Sequence, residues 1–314
     1  MSFSGEIKEE LLRVESSARH CRIAELAAFF QFGGYLKQTE DGRSILKIQT
    51  ENQIVARKCF TLWRKTFKIN ADVIVRRNRE QKSGMTYLIQ TDHEALTERL
   101  LDMLKADKKS LSGGRGYSVT DGRLLKNSCC KRAFLRGAYL SVGSMSDPNK
   151  AYHLELVCTD ERQAMQIKGL LWDFDLEAKV VLRKKYYVVY LKEGENISDF
   201  LTIVEAHQGK LEFENTRIVK DMRGMVNRKV NCEVANINKT VNAAAKQIAA
   251  IRYIQEHGGL VQLDPQLLEM AYVRLENPDS SLEELGKLLK PPVGKSGVNH
   301  RLRKIKEFAN GLKD

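Results

Sequence analysis

A dense group of basic and hydrogen-bonding side chains lies near the C-terminus of this 314-residue chain. The group comprises Lys295, Ser296, Asn299, His300, Arg301, Arg303, Lys304 and Lys306. Lys and Arg suit phosphates and guanine edges, whereas an Asn amide suits adenine in the major groove. Asn299 and Arg303 are four residues apart, so they lie on one face if the segment is helical. These residue types at this spacing predict contact with duplex DNA.

Two helices with defined ends are predicted to precede this group. The first presents an apolar face at helical spacing: Val241, Ala244, Ile248, Ile251 and Ile254. Gly258-Gly259 is expected to end it. The second is predicted to open at Asp264-Pro265, where an acidic N-cap precedes a proline in the first turn, and to run to about Leu275.

A short helix, a tight turn and a basic helix are predicted next. Ser280 with Glu283 has the spacing of a capping box for the short helix, and the prolines of residues 291–294 prevent its continuation. Ser296 is predicted to cap the last helix. Three apolar residues of that helix are expected to face a core: Val298, Leu302 and Ile305. This order is typical of a helix-turn-helix that inserts its second helix into the major groove; the alternative is a helical bundle with a merely solvated basic face.

The overall charge favours a polyanionic partner. The chain has a net charge of +12, and basic side chains bind nucleic acid by displacing its condensed counterions. From Gly209 onward there are 18 Lys and Arg against 13 Asp and Glu, so much of the surplus lies earlier in the chain. Both parts are therefore expected to be able to touch DNA.

The hydropathy pattern indicates a soluble globular protein without a membrane span. Hydrophobic residues make up 42% of the chain and the mean hydropathy is −0.40. The N-terminus carries several acids and lacks the basic and apolar regions of a secretory signal. A cytoplasmic location is therefore expected, with no membrane partner.

The cysteines and histidines show no metal-ligand spacing in the sequence. The six cysteines are Cys21, Cys59, Cys129, Cys130, Cys158 and Cys232. The adjacent pair Cys129-Cys130 is the one unusual feature, and no C-x-x-C or H-x-x-x-H occurs. Small buried thiols in a reducing compartment are the favoured interpretation, with a redox or metal role as the minor alternative. No metal and no cofactor are expected.

A diverged internal duplication is visible when the chain is compared with itself. At an offset of 109 residues, Cys21 aligns with Cys130, Ala24 with Ala133, Leu26 with Leu135, Thr50 with Thr159 and Leu62-Trp63 with Leu171-Trp172. Each half is predicted to run helix, strand, helix, two-stranded hairpin and closing helix. The second hairpin carries a basic turn, Arg183-Lys184-Lys185, as a further candidate for DNA contact. The duplication predicts an α+β domain with a pseudo-two-fold axis.

The predicted elements of the two halves correspond one to one. The first helices are expected at roughly Arg22–Phe32 and Lys131–Ser141, the strands at ILKIQT and YHLELVCT, and the closing helices near His93–Ala106 and Ile197–His207. Small residues recur on the first helices: Ala24, Ala28, Ala133, Gly137 and Ser141. Their spacing permits the two helices to pack backbone to backbone.

The segments ELAAFFQFGGYL and FLRGAYLSVGS resemble the LAGLIDADG motif of homing endonucleases. That resemblance implies two motif helices on the pseudo-dyad and flanking sheets that form a DNA saddle. The family's nuclease chemistry requires an acid near the end of each motif helix to hold a divalent metal. Gly33 and Val142 occupy those positions, so no catalytic residue and no nuclease activity are expected. The nearest acids, Asp41 and Asp147, fall in the following loops.

The C-terminal helices are similar to the helix-turn-helix domains of sigma-factor region four, and the whole chain resembles the WhiA family of bacterial sporulation transcription regulators. The stretch NRKVNCEVANINKTVNAAAKQI is similar to that family's signature between its two domains. The resemblance implies a Gram-positive host and a non-enzymatic, sequence-specific DNA-binding transcription regulator of sporulation, cell division or chromosome segregation, located on the nucleoid. Other transcription or division proteins are implied as further partners.

The expected domain boundaries follow the duplication and the final helices. A LAGLIDADG-like domain is expected at residues 1–206, with repeats at about 20–107 and 129–206, then a linker at 207–230 and a helix-turn-helix domain at 231–314. One internally duplicated domain already supplies the pseudo-dyad, so the chain could act as a monomer. Two other functions remain open: a nucleoid-bound division or segregation partner without promoter regulation, and a residual metal-dependent endonuclease.

Overall fold

A computed structural model describes residues 2–39, 42–68, 71–77, 84–91, 94–106 and 119–312. The chain divides into two compact units, residues 1–220 and 221–314. The first contains the duplicated α+β domain and the second is helical. The duplicated α+β architecture and the C-terminal helical unit expected from the sequence are both confirmed.

The first repeat is built around a buried helix and an antiparallel sheet. Its helices are α2 (Arg19–Gly33), α3 (Gln53–Phe67) and α4 (Glu94–Met103), and its strands are β1 (Gly34–Gln38), β2 (Ser44–Thr50), β3 (Asp72–Arg77) and β4 (Met85–Gln90). The described strands pair antiparallel in the order β1-β2-β4-β3. An additional helix, α1 (Phe3–Arg13), precedes the repeat and buries Phe3, Ile7 and Leu11 in its core. The expected start of α4 at His93 lies outside the described residues.

The second repeat has the same order of elements. Its helices are α5 (Ser128–Val142), α6 (Glu161–Trp172) and α7 (Gly194–Ile203), and its strands are β5 (Gly143–Met145), β6 (Leu154–Cys158), β7 (Lys179–Arg183) and β8 (Tyr186–Leu191). These strands pair in the matching order β5-β6-β8-β7. Each repeat therefore has a strand that the sequence pattern did not predict, because β1 and β5 are short and begin directly at the end of a helix.

Helices α2 and α5 pack closely because small residues line their contact. A Cβ placed on Gly137 would lie 2.7 Å from the carbonyl oxygen of Glu25 and 2.9 Å from the Cβ of Ala28. Ala24, Ala28 and Ala133 are buried in the same core. The prediction that small residues bring these helices together backbone to backbone is therefore confirmed.

The two copies use their aligned tryptophans differently. Trp63 is fully buried in α3, where its ring lies 5.5 Å from that of Phe30 and 6.2 Å from that of Phe67. Trp172 is the last residue of α6 and is 62% exposed. The aligned dipeptides thus mark equivalent positions in the fold without sharing an environment.

The segment expected to be a linker is helical. Helix α8 (His207–Glu256) is continuous through residues 207–230, which were expected to form a linker. Its apolar residues between Leu211 and Val241 are largely exposed, which explains the weak amphipathic pattern. Val241 is 58% exposed, so its expected place on the core face is wrong, whereas Ala244, Ile251 and Ile254 are buried.

Three further helices complete the second unit: α9 (Pro265–Glu276), α10 (Leu282–Leu288) and α11 (Lys295–Gly311). Asp264 caps α9 as expected. The capping box of α10 is formed by Ser281 and Glu284, not by Ser280 and Glu283. The N-cap of α11 is Gly294, and Ser296 lies inside the helix, so the expected serine cap is wrong.

The helical unit has a core of its own. Ile251, Ile254, Met270, Leu285, Leu289, Val298, Leu302, Ile305 and Ala309 are buried members of one cluster. Residues of α8, α9, α10 and α11 all contribute to this core, in which α11 packs mainly against α9 and α10. Among the described residues, none of the helices combines the length and apolar character needed to cross a membrane.

Candidate nucleic-acid interface

The turn between α10 and α11 is closed by direct backbone contact. The backbone N–H of Val293 donates to the carbonyl oxygen of Gly286 at 2.9 Å. A Cβ on Gly286 would lie 2.1 Å from the carbonyl oxygen of Val293, so a side chain at that position would displace the turn. This contact determines where α11 begins relative to α10.

Helix α11 divides into a buried face and a basic, exposed face. Val298, Leu302 and Ile305 are buried, as the sequence predicted. The exposed residues of the predicted DNA-contact group are Lys295, Ser296, Asn299, His300, Arg303, Lys304 and Lys306. Seven of the eight predicted residues are thus available to a partner from outside.

Arg301 is the member of the predicted group that faces the protein. Its guanidinium donates to the side-chain oxygen of Gln266 at 3.3 Å and lies 3.9 Å from a carboxylate oxygen of Glu269. Glu269 also accepts a hydrogen bond from the backbone N–H of Lys290 in the turn, at 2.9 Å. Arg301 therefore helps to hold α11 and the turn against α9.

Asn299, His300 and Arg303 lie midway along the exposed residues of α11, between Lys295-Ser296 and Lys304. A guanidinium nitrogen of Arg303 lies 3.4 Å from Nδ1 of His300, and Nε lies 3.5 Å from a carboxylate oxygen of Glu307. Both members of the Arg303–Glu307 pair are 65% exposed. Exposed pairs of this kind contribute little, so Arg303 can exchange Glu307 for a nucleic-acid acceptor at small cost.

A buried arginine that the sequence pattern did not reveal, Arg274, stabilises the helical C-terminal unit. Arg274 is 1% exposed, and its guanidinium donates to the carbonyl oxygen of Ser280 at 2.6 Å and to the side chain of Gln247 at 2.9 Å. Removal from water lowers the pKa of Arg274. The sequence did hold a signal for the burial of Arg274. It lies four residues after Met270 in the same helix, so the two side chains share the face that packs on the core.

The basic hairpin lies in the N-terminal unit, at the turn between β7 and β8. Arg183, Lys184 and Lys185 are exposed there, and Lys184 adopts a left-handed conformation with φ 55°. Arg183 lies 3.3 Å from a carboxylate oxygen of Glu155, and the ammonium of Lys185 lies 5.4 Å from the ring centroid of Tyr186. Glu155 partly neutralises the hairpin, so Lys184 and Lys185 are its more accessible cations.

The residues that the LAGLIDADG resemblance places at the catalytic-acid positions, Gly33 and Val142, are unsuited to binding a metal. Gly33 and Val142 are the last residues of α2 and α5, and neither has a ligating oxygen in its side chain. A Cβ on Gly33 would lie 2.6 Å from the carbonyl oxygen of Gln49, so an acid could not be restored there without moving β2.

Asp147, one of the two acids nearest in sequence, is engaged within its own turn. Asp147 accepts hydrogen bonds from the backbone N–H and side-chain amide of Asn149, at 2.8 and 3.1 Å. These bonds, the backbone one foremost, lower the pKa of the Asp147 carboxyl, and they commit the group to its own turn. Asp41, the other acid singled out in the sequence, lies outside the described residues.

Three family models match consecutive parts of the chain. They are the WhiA N-terminal LAGLIDADG-like domain at residues 19–105, the WhiA LAGLIDADG-like domain at residues 131–223 and the WhiA C-terminal HTH domain at residues 226–309. The chain belongs to the WhiA family. The expectation drawn from the motif helices and the final helices is thereby confirmed.

Relatives over the full length carry the same family name. A probable cell division protein WhiA from Lachnoclostridium phytofermentans is 48% identical and covers 100% of both chains. Another from Alkaliphilus oremlandii is 46% identical, covering 100% of this chain and 98% of its own. The crystal structure of full-length DUF199/WhiA from Thermotoga maritima has 28% identity and a TM-score of 0.60, covering 99% of this chain and 98% of its own.

The WhiA-type helix pair contains buried charges that the sequence analysis did not single out. Glu25 of α2 and Arg136 of α5 are 0% and 1% exposed, with 3.1 Å between their charged groups. Arg136 also pairs with Glu205 at 2.7 Å and donates to the hydroxyl of Ser16 at 2.8 Å. Lys58 lies 3.7 Å from Glu25 and donates to the carbonyl oxygens of Leu11, Leu12 and Val14. Burial lowers the pKa of Lys58.

The residues best suited to hold a metal in the described part of this WhiA-family chain are His20, Cys21, Cys129 and Cys130. Their ligand atoms all lie within 4.8 Å of one another. No metal site was expected because these ligands are not at short spacing in the sequence; the fold joins two dipeptides from different repeats. The signal was present in the alignment of Cys21 with Cys130.

Proposed function

We propose that this WhiA-family protein is a sequence-specific, non-enzymatic DNA-binding regulator of transcription in bacterial cell division and sporulation. The observation that carries the proposal is the exposed face of α11, which combines amide, imidazole and guanidinium groups on a helix packed behind a tight turn. Such a helix has the shape and the hydrogen-bonding groups to read base edges in the major groove.

The residues of the face divide into readers and anchors. Asn299, His300 and Arg303 are assigned to base edges, because they are exposed midway along α11 and carry groups that can bond to base edges. The anchors are assigned to phosphates at the two margins: Lys295, Ser296, Lys304 and Lys306. Arg301 is assigned a positioning role, because its guanidinium is engaged by Gln266 and Glu269.

The N-terminal unit is proposed to bind without cutting. Lys184 and Lys185 are exposed at the β7–β8 turn and would add phosphate contacts that raise affinity without reading sequence. The substitution of the catalytic acids by Gly33 and Val142 supports the loss of nuclease activity. Together the two units would act on the nucleoid.

Selection of duplexes from a random pool with the full-length protein tests sequence-specific binding. We expect enrichment of a defined site and an affinity that falls steeply as salt increases, because phosphate contacts release counterions. Equal affinity for enriched and random duplexes at every salt concentration would contradict the proposal.

Incubation of the protein with plasmid and Mg²⁺ or Mn²⁺ tests the non-enzymatic part. We expect neither nicking nor cleavage. Cleavage that requires metal and disappears in Asp147→Asn or Asp41→Asn would show that the acids have migrated to the loops, and would overturn this part of the proposal.

A second candidate function is suggested by the name of the relatives, probable cell division proteins. In this alternative the protein binds the nucleoid and acts in division or segregation through a protein partner, without regulating promoters. Genome-wide occupancy compared with transcript changes on deletion separates the two. Regulation predicts that occupied promoters change their transcripts, whereas the alternative predicts occupancy without such changes.

A further inference from the structure

The pseudo-two-fold symmetry brings two dipeptides together at the start of the paired helices. His20-Cys21 are the second and third residues of α2 (Arg19–Gly33), and Cys129-Cys130 are the second and third residues of α5 (Ser128–Val142). At the 109-residue offset of the duplication, His20 aligns with Cys129 and Cys21 aligns with Cys130. The four side chains therefore occupy symmetry-equivalent positions beside the dyad.

The four ligand atoms form a compact cluster. The imidazole Nδ1 of His20 lies 3.1 Å from Sγ of Cys130 and 3.4 Å from Sγ of Cys21. All four ligand atoms, including Sγ of Cys129, lie within 4.8 Å of one another. Cys21 and Cys130 are buried, whereas His20 and Cys129 are exposed, so the cluster has an inner wall and an open side for entry.

We propose that His20, Cys21, Cys129 and Cys130 bind one zinc ion that joins the N-terminal ends of α2 and α5. Three thiolates and one imidazole are an established ligand set for tetrahedral structural zinc. With Zn–S bonds of about 2.3 Å, tetrahedral geometry separates the sulfur atoms by about 3.8 Å, which is below the 4.8 Å within which the four ligand atoms lie. Each ligating thiol gives up its proton to solvent as it binds.

The N-termini of both helices meet the cluster, and a helix N-terminus favours a thiolate over a thiol. Burial and the neighbouring thiols act in the opposite direction and raise the pKa of Cys21 and Cys130, so a bound metal has to displace the protons of these thiols. Two basic residues close to the cluster in sequence bind elsewhere: Lys131 lies 2.6 Å from Asp173, and Arg22 donates to the carbonyl oxygens of Ser16 and Ser17. Four protein ligands would complete the tetrahedral coordination of the zinc and leave no position for a water or a substrate. This is typical of a structural zinc and not of a catalytic one.

The proposal is tested by metal content of the full-length protein, purified anaerobically without chelator and desalted. We expect elemental mass spectrometry to find close to one zinc ion per chain. His20→Ala and Cys129→Ser should lose most of that zinc while remaining folded, because both residues are exposed. Cys232→Ser is the matched control: it removes an exposed cysteine from α8 and should keep the full zinc content.

Spectroscopy distinguishes the proposed site from adventitious binding and from a disulfide. X-ray absorption at the zinc edge should show about three sulfur and one nitrogen neighbours, at about 2.3 and 2.0–2.1 Å. Cobalt substituted for zinc should show the intense visible bands of a tetrahedral thiolate site, and Cys129→Ser should change them. Zinc absent from the wild type, an oxygen-rich shell, variants that bind like the wild type, or a disulfide among these cysteines in anaerobically purified protein would each overturn the proposal.

Discussion

At the scale of single residues, the cations of α11 differ in what they contact inside the protein. Arg301 is held by Gln266 and Glu269, and Arg303 by an exposed pair with Glu307. Lys304 and Lys306 are exposed. Periodicity predicted the buried and exposed faces of α11, but it could not predict that Arg301 faces the protein. Arg301 lies at the boundary between the two faces, and its contacts are with Gln266 and Glu269 of α9, which the sequence of α11 alone does not reveal.

Lys304→Ala is expected to weaken binding to specific and random duplexes alike. The lysine is assigned to a phosphate, so its removal should lower the slope of log affinity against log salt by about one unit. Titrations at several salt concentrations measure this slope. Lys168→Ala, which removes one exposed lysine from α6, is the control and should leave the slope unchanged; a selective loss on the specific site would instead assign Lys304 to a base.

Gly286→Ala is expected to destabilise the helix-turn-helix. The new Cβ would lie 2.1 Å from the carbonyl oxygen of Val293, and overpacking of this kind costs roughly 1–3 kcal/mol or more. Thermal melting and DNA binding of the full-length protein should both decline. Gly311→Ala, where no described heavy atom lies within 4 Å of the added Cβ, is the control. Equal melting of the two variants would contradict the close contact in the turn.

At the scale of elements, the sequence predicted those helices and strands whose apolar residues follow a clear period. The small-residue spacing indicated the contact between α2 and α5 because it depends on the two helices alone. It did not indicate the buried Glu25–Arg136 pair, because a charged residue in a helix is expected at the surface until its partner is known. Helix α8 was partly missed because its apolar residues are exposed, so they show no clear one-sided pattern.

Gly137→Ala is expected to weaken the packing of α2 against α5. The added Cβ would approach the Glu25 carbonyl oxygen to 2.7 Å, and we expect a loss of roughly 1–3 kcal/mol in the free energy of unfolding. Chemical denaturation measures it. Gly169→Ala is the matched control, because it lies in α6 with no described heavy atom within 4 Å of the new Cβ; it should gain roughly 0.5–1 kcal/mol from helix propensity. Similar effects of the two changes would contradict the close packing of the pair.

Lys8 of α1 is expected to make the stability of the N-terminal unit depend on pH. Its ammonium donates to the carbonyl oxygen of Leu140 at 3.1 Å, and burial lowers the pKa of Lys8 from 10.5 to about 8. The unfolded chain therefore binds more protons between these two values, and stability attributable to Lys8 rises with pH in that window. Below it, the cost of burying the charge is present in full.

Denaturation of the wild type and of Lys8→Met across that window measures the effect. The stability difference between the two proteins should change with pH, in the direction of a relatively more stable wild type at high pH. A difference that stays constant from below pH 8 to above pH 10.5 would show that Lys8 has its ordinary pKa in the folded protein.

At the scale of the whole molecule, the duplication explains why the order of elements could be predicted from the sequence and why the cluster of His and Cys residues was missed. Apart from the short strands β1 and β5, the order of elements could be inferred because it occurs twice. The cluster of His20, Cys21, Cys129 and Cys130 was missed, because its halves lie 109 residues apart and meet only when the two repeats associate about their axis; the alignment of Cys21 with Cys130 was the one signal of it. The surplus of positive charge in both parts of the chain supports the proposal that both units contact DNA.

The most direct test of sequence reading by α11 is the discrimination of the full-length protein between its selected duplex and a random duplex of equal length, at one salt concentration. Asn299→Ala and Arg303→Ala should each cost roughly 1–3 kcal/mol on the selected duplex and much less on the random one. Both residues are exposed, so the melting temperature should stay unchanged. Variants that remain folded and keep the full discrimination of the wild type would show that the sequence is read elsewhere in the protein.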